Sequence, residues 1–159
     1  KITADGATNI IPAELKLEGT FRTMDEKWRS EAHRKMKKIA IKIAEEMGGK
    51  CEFSILKGYP FLVNDEKTTR KAKLFAEEYA GKKNVMEVEQ RMGAEDFSYY
   101  SQVIPACFYR IGVGNKKKKI NSGLHSPTFD IDEAALKTSM GLMAWIAINE
   151  LKCSKPFPR

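Results

Sequence analysis

The stretch Glu14-Leu15-Lys16-Leu17-Glu18-Gly19-Thr20-Phe21-Arg22-Thr23 alternates without a break. Leu15, Leu17, Gly19 and Phe21 fall on one side, and Lys16, Glu18, Thr20 and Arg22 on the other. That is the period-two pattern of a half-buried strand. Pro12 stands just ahead, where a missing N–H does least harm to a ladder. Downstream, Asp25 offers an N-cap and Glu26 adds favourable negative charge to a first turn. Trp28, Ala32, Met36, Ile39, Ile43 and Met47 then recur at steps of four, four, three, four and four. The spacing predicts a long amphipathic helix, stopped by Gly48-Gly49. A second strand is predicted over residues 51–57, closed by Gly58-Tyr59-Pro60. Strand, helix and strand describe most of a small α+β sandwich, a sheet with helices on one face.

Beyond it the pattern restarts. Asn64-Asp65 opens a helix with Thr68, Ala72, Phe75, Ala76 and Tyr79 on one face, ended by Gly81. Residues 85–88 read as a short strand and residues 96–100 as a short helix. Residues 106–111 form a nearly continuous apolar run, the mark of a strand buried on both faces in a parallel or mixed sheet. A polar, glycine-rich loop spans residues 112–123. Asp132 then caps a helix over residues 133–151, apolar nearly all round through Leu136, Met140, Leu142, Met143, Trp145, Ile146 and Ile148, so it should be largely buried. The fold class is α/β (α+β), with a domain boundary near residues 62–64 and no internal repeat.

The chain has 159 residues, enough for one domain or parts of two, with 42% apolar and 31% charged residues, as in an ordinary globular protein. No stretch approaches the roughly 20 apolar residues that cross a bilayer. The N-terminus, Lys1-Ile2-Thr3-Ala4-Asp5-Gly6, has neither a starting Met nor an apolar signal core and reads as a cut or processed end. The net charge of +7 comes from 28 Lys and Arg against 21 Asp and Glu. The densest run, residues 116–119, lies within a loop without interleaved aromatics to stack bases, so the charge reads as solvated rather than as a nucleic-acid surface. Cys51, Cys107 and Cys153 are odd in number, far apart and without CxxC spacing. They read as buried or free thiols, consistent with a reducing, cytoplasmic compartment.

Few residues are candidates for chemistry. His33 lies off the apolar stripe of its helix, beside Arg34 and Lys35, and reads as a surface residue. His125 sits in Gly123-Leu124-His125-Ser126-Pro127, after a glycine-rich loop, where α/β enzymes place their sites. Taken alone it is either structural or a ligand. In Gly93-Ala94-Glu95-Asp96-Phe97-Ser98, either Asp96 caps a helix with Glu95 adding favourable charge, or the two border a loop whose free N–H groups suit a substrate carboxylate. Asn9 could be a turn residue, and Arg22 a cross-strand ion-pair partner.

Four segments, in order, alter the balance: Ala7-Thr8-Asn9-Ile10-Ile11-Pro12-Ala13-Glu14, Gly19-Thr20-Phe21-Arg22-Thr23, Met92-Gly93-Ala94-Glu95-Asp96-Phe97-Ser98 and Leu124-His125-Ser126-Pro127-Thr128-Phe129-Asp130. Together they resemble the zinc peptidase and amidohydrolase family of hippurate hydrolase, N-acyl-amino-acid amidohydrolase, bacterial aminoacylase and the plant auxin-conjugate hydrolases. The resemblance implies an α/β metallopeptidase catalytic domain holding two divalent metal ions, with an inserted ferredoxin-like lid that mediates dimerisation. Residues 1–62 then match the second half of the lid and residues 63–159 the C-terminal part of the catalytic domain.

By the same resemblance His125 is the last metal ligand, Asn9 stands near the substrate carbonyl and Arg22 near its free carboxylate. Gly93 and Glu95 belong to a loop lining the site, where Ala94 replaces a usual glycine. The implied substrate is a small N-acyl amino acid or peptide with a free carboxylate, and the implied metals are zinc or, by imidazole chemistry, cobalt, manganese or nickel. The family's other ligands, its general-base glutamate and its lid histidine match nothing here, so a C-terminal fragment, inactive alone, is expected. A non-catalytic assembly module is the alternative, and a basic nucleic-acid binder a more distant one.

Overall fold

Residues 1–153 are described by a computed structural model; residues 154–159, the end of the segment expected over 63–159, lie outside the described residues. The chain divides into two units. The first holds Lys1–Phe61 with Met92–Ala94, and the second holds Leu62–Arg91 and the residues from Glu95 onward. Helices and a small two-stranded sheet make it a mixed α+β chain.

In the first unit, β1 (Ile2–Thr3) pairs antiparallel with β2 (Lys16–Leu17), Ile2 opposite Leu17 and Thr3 opposite Lys16. Only these two residues of the ten-residue strand expected over 14–23 join a ladder, and the strand expected over 51–57 joins none. A strand is stabilised by its neighbour; beyond the ladder Glu18 exchanges backbone hydrogen bonds with Lys1 at 2.8 and 2.9 Å, and the described residues supply no β-partner for residues 51–57. The helix is where its local signals put it. α1 (Glu26–Glu46) starts where the Asp25 carboxylate accepts from the N–H of Trp28 at 2.9 Å, and gives way to Gly48 at φ +78°. Its apolar stripe is present but uncovered. Ala32 is buried, whereas Trp28, Met36, Ile39, Ile43 and Met47 are each exposed by 38–85%.

In the second unit, α2 (Glu66–Ala80) is capped by Asp65, which accepts from the N–H of Thr68 at 2.8 Å and its hydroxyl at 2.7 Å. It packs on α4 (Ala134–Cys153), with Lys71 bridging to Glu150 at 2.8 Å. Gly141 allows the close approach: a Cβ there would lie 1.9 Å from the Tyr79 hydroxyl. α4 was expected to be largely buried, and it is not. Leu142 is buried, but Leu136, Met140, Met143, Trp145 and Ile148 are each exposed by 37–68%. A helix apolar all round needs cover all round, and α2 is the one helix of the described residues that packs along it.

Residues 106–111 form no ladder either; instead α2's entry holds them. The Asp65 N–H donates to the Ala106 carbonyl at 2.8 Å. The Asn64 side chain donates to the Phe108 carbonyl and accepts from its N–H, both at 2.8 Å. Residues 85–88 are likewise not a strand but follow a 3-10 turn at Lys82–Asn84. The short helix expected over 96–100 is α3, Ser98–Ser101. All three cysteines are free. No described helix is long and apolar enough to cross a membrane.

Candidate functional site

In the first unit a cleft of about 750 Å³ opens between residues 17–24, the inner side of α1 and residues 52–61, with Met92, Gly93 and Ala94 on its wall. This is within the size range of small-molecule pockets. Arg22 lines it, is exposed to solvent, and spends one N–H on the Met92 carbonyl at 3.2 Å. A guanidinium has five N–H donors in a planar fork. Arg22 therefore keeps capacity to hold a carboxylate, and no acidic side chain of the described residues pairs with it, so the cross-strand ion pair is not formed. Gly93 shares this wall. Asn9 is exposed in a turn closed by the Ile10 N–H on the Ala7 carbonyl at 3.1 Å, and does not line the cleft.

Two cleft residues escaped the sequence reading. His33 is half-buried rather than a surface residue, with its ring 6.1 Å from that of Phe21 at 65°. Arg29 is buried, and its fork joins the Tyr59 carbonyl at 2.7 Å and the Glu26 carboxylate at 2.5 Å. The i,i+3 spacing of Glu26 and Arg29 was the available signal.

In the second unit His125 is exposed in a turn with φ +63°, the left-handed region that side chains enter at a cost. Two hydrogen bonds close the turn around it. The Ser122 and Thr128 hydroxyls meet at 2.8 Å across it, and the Phe129 N–H donates to the Ser126 carbonyl at 3.1 Å. Just upstream, residues 115–120 make a small hairpin, Asn115 and Ile120 exchanging backbone hydrogen bonds at 2.8 and 2.9 Å. Asp132, at the entry to α4, ties this hairpin down. It accepts from the Asn115 amide at 2.5 Å and from the Lys118 ammonium at 2.6 Å. The Asn115 hydrogen bond, then the Lys118 ammonium, hold its carboxyl down at about 2. Lys116, Lys117 and Lys119 remain exposed.

The Glu95 carbonyl accepts from the Ser98 N–H at 3.1 Å and hydroxyl at 2.5 Å. Its carboxylate reaches only the Phe97 N–H, at 3.5 Å. The cap expected from the Asp96 side chain is not formed: the N-cap of α3 is Phe97, which makes no side-chain capping bond. A four-residue helix with its first amides turned onto carbonyls leaves few donors for a carboxyl cap.

His125 is a single imidazole, and among the described residues no three His, Cys, Asp or Glu side chains come close enough to hold a metal ion. The residues of this chain thus fit one place in a metal's coordination shell, not a site.

The profile of peptidase family M20/M25/M40 matches residues 4–149. Thermostable carboxypeptidase 2 of Saccharolobus solfataricus is 34% identical over 142 residues, 89% of this chain and 35% of that protein. The putative amidohydrolase YhaA of Bacillus subtilis is 31% identical over 146 residues, covering 92% and 37%. N-acetylcysteine deacetylase of the same organism is 31% identical over 157 residues, covering 98% and 39%. The chain thus spans little more than a third of these relatives. No solved structure matches it. The resemblance carried by the four sequence segments is borne out, and the chain belongs to peptidase family M20/M25/M40.

Proposed function

We propose that this chain is the C-terminal part of a metal-dependent hydrolase that cleaves the amide bond of small N-acyl amino acids or of peptides with a free carboxylate. The observation that carries the reading is His125: an exposed imidazole on a left-handed backbone, held by its own turn, in a chain of this family. Backbone strain of this kind costs on the order of 1–3 kcal/mol and persists where function or packing requires it. An exposed turn gives packing little to require.

When bound, two divalent ions would polarise the substrate carbonyl and activate water; zinc is the first choice, with cobalt, manganese or nickel as alternatives. His125 would supply one neutral imidazole nitrogen, with the other ligands from residues outside this chain. Arg22 would hold the substrate carboxylate through two parallel charged hydrogen bonds. Asn9 would donate to the substrate carbonyl, and Gly93 and Glu95 would border the site. In this reading residues 1–62 are half of a ferredoxin-like lid through which the protein forms a homodimer, and residues 63–159 end the catalytic domain.

The experiment is His125→Ala in the full-length protein, with metal content and hydrolysis of N-acetyl amino acids measured together. Both should fall, hydrolysis almost completely, while helical circular dichroism stays near wild type. Near-normal metal and activity would return His125 to a structural role. Retained metal with an inactive wild type would favour the non-catalytic assembly module instead.

A further inference from the structure

The first unit hands the chain on at Phe61, and two backbone groups close to that exit, the Tyr59 carbonyl and the Phe61 N–H, are held from the first turn of α1. Arg29 donates to the Tyr59 carbonyl at 2.7 Å and to Glu26 at 2.5 Å; the other oxygen of Glu26 accepts from the Phe61 N–H at 3.3 Å. Arg29 is 8% exposed, and its Nε is buried without a partner. Burying a guanidinium is costly, and leaving one of its donors unmet adds to the cost. Residues elsewhere in α1 meet their needs with exposed i,i+4 pairs such as Glu31–Lys35 and Lys42–Glu46. A buried, incompletely satisfied guanidinium paired with a half-buried carboxylate at this one place therefore needs a reason. The chain's return to the first unit at Met92–Ala94 is treated alike, with Arg22 donating to the Met92 carbonyl.

We infer that the Glu26–Arg29 pair is a positioning device that fixes the backbone of residues 59–61 against α1 and makes this end of the first unit stiff. Pro60 fits this, since its ring locks φ between the two held groups. Arg29 does not touch Phe61 in this scheme; it acts through Glu26, whose carboxylate it orients.

The test is amide hydrogen exchange of the whole chain, comparing wild type with Arg29→Met, Arg29→Lys and Glu26→Ala. Glu26→Ala removes the acceptor, so Phe61 should exchange roughly tenfold faster, the loss expected for one hydrogen bond. Arg29→Met should also quicken Phe61, by a similar factor, although the bond to Glu26 is not itself deleted. Amides of residues 36–43 in α1 should change by less than about twofold, because they open independently of the exit. Arg29→Lys should lie between, since an ammonium keeps the charge but cannot fork to both Tyr59 and Glu26. An unchanged Phe61 rate in Arg29→Met overturns the inference. So does equal acceleration of every amide in the first unit, which would make the pair ordinary core support. If Arg29→Met does not fold, Arg29→Lys decides alone: a wild-type rate at Phe61 overturns the proposal, and selective acceleration there upholds it.

Discussion

Gly141→Ala probes the tightest contact between α2 and α4. An added Cβ would stand 1.9 Å from the Tyr79 hydroxyl oxygen, 2.8 Å from Cζ and 3.4 Å from Cε2. Two effects oppose each other. Alanine in a helix interior is favoured over glycine by about 1 kcal/mol. Forcing a methyl into occupied space costs about 1–3 kcal/mol. Tyr79 is 41% exposed, so its ring can swing outward, but only by giving up its place against α4. Gly141→Ala should therefore lower stability by about 0–2 kcal/mol. With Tyr79→Ala already present the clash is gone, and the same substitution should raise stability by about 1 kcal/mol. The coupling between the two positions is then about 1–3 kcal/mol, a size typical of touching residues. Tyr79→Phe should relieve it only in part, because Cζ remains. Urea unfolding in a Trp28→Phe background, with the fluorescence of Trp145 on α4 as reporter, measures all four corners. If Gly141→Ala stabilises by the same amount with and without Tyr79, the two helices do not meet there and the packing described is wrong.

Two other substitutions test the parts of the candidate site. In the full-length protein Arg22→Ala should reduce kcat/KM for an N-acyl amino acid by roughly 10–150-fold, Arg22→Lys recovering only part; an equal loss on the neutral C-terminal amide would show that Arg22 does not read the carboxylate. Asp132 titrates near 2 when folded, below its usual 3.8, because Asn115 and Lys118 bond its charged form. A depressed carboxyl contributes stability above its unfolded value and loses it as pH falls through the folded one. The stability difference between wild type and Asp132→Asn should thus be full above about pH 5 and shrink towards pH 2, and a difference independent of pH would mean that the carboxylate does not hold the 115–120 hairpin.

The helices were legible because their signals are local. Asp25 and Asp65 cap α1 and α2 where the sequence places them, and Gly81 ends α2. The strands were not, because alternation says which face a strand would bury and nothing about the neighbour it needs. Residues 14–23 keep the pattern but pair only over Lys16–Leu17 and, through the N-terminus, at Glu18. The same reason undid the expected burial of α4: composition describes the helix, and cover comes from elsewhere. Of the residues lining the cleft, Arg22 and Gly93 were singled out from the sequence. Arg29 and His33 were not, since their importance lies in contacts with Tyr59 and Phe21, 30 and 12 residues away in the chain. Nor does flanking by Gly123 and Pro127 reveal that His125 itself takes the left-handed conformation.

The Asn64 side chain gives Phe108 what a peptide of an adjoining strand would give: one donor for its carbonyl and one acceptor for its N–H. Among side chains in their usual ionisation states, a primary amide alone presents both groups side by side in one plane. The position is therefore chemically narrow. Aspartate would keep the acceptor but set a charge against the Phe108 carbonyl, leucine would fill the space and satisfy neither group, and glutamine would carry the right atoms one methylene too far. Exchanging this single amide for the acid by substitution, a change of one mass unit, would edit the hydrogen bonding of the backbone rather than its shape.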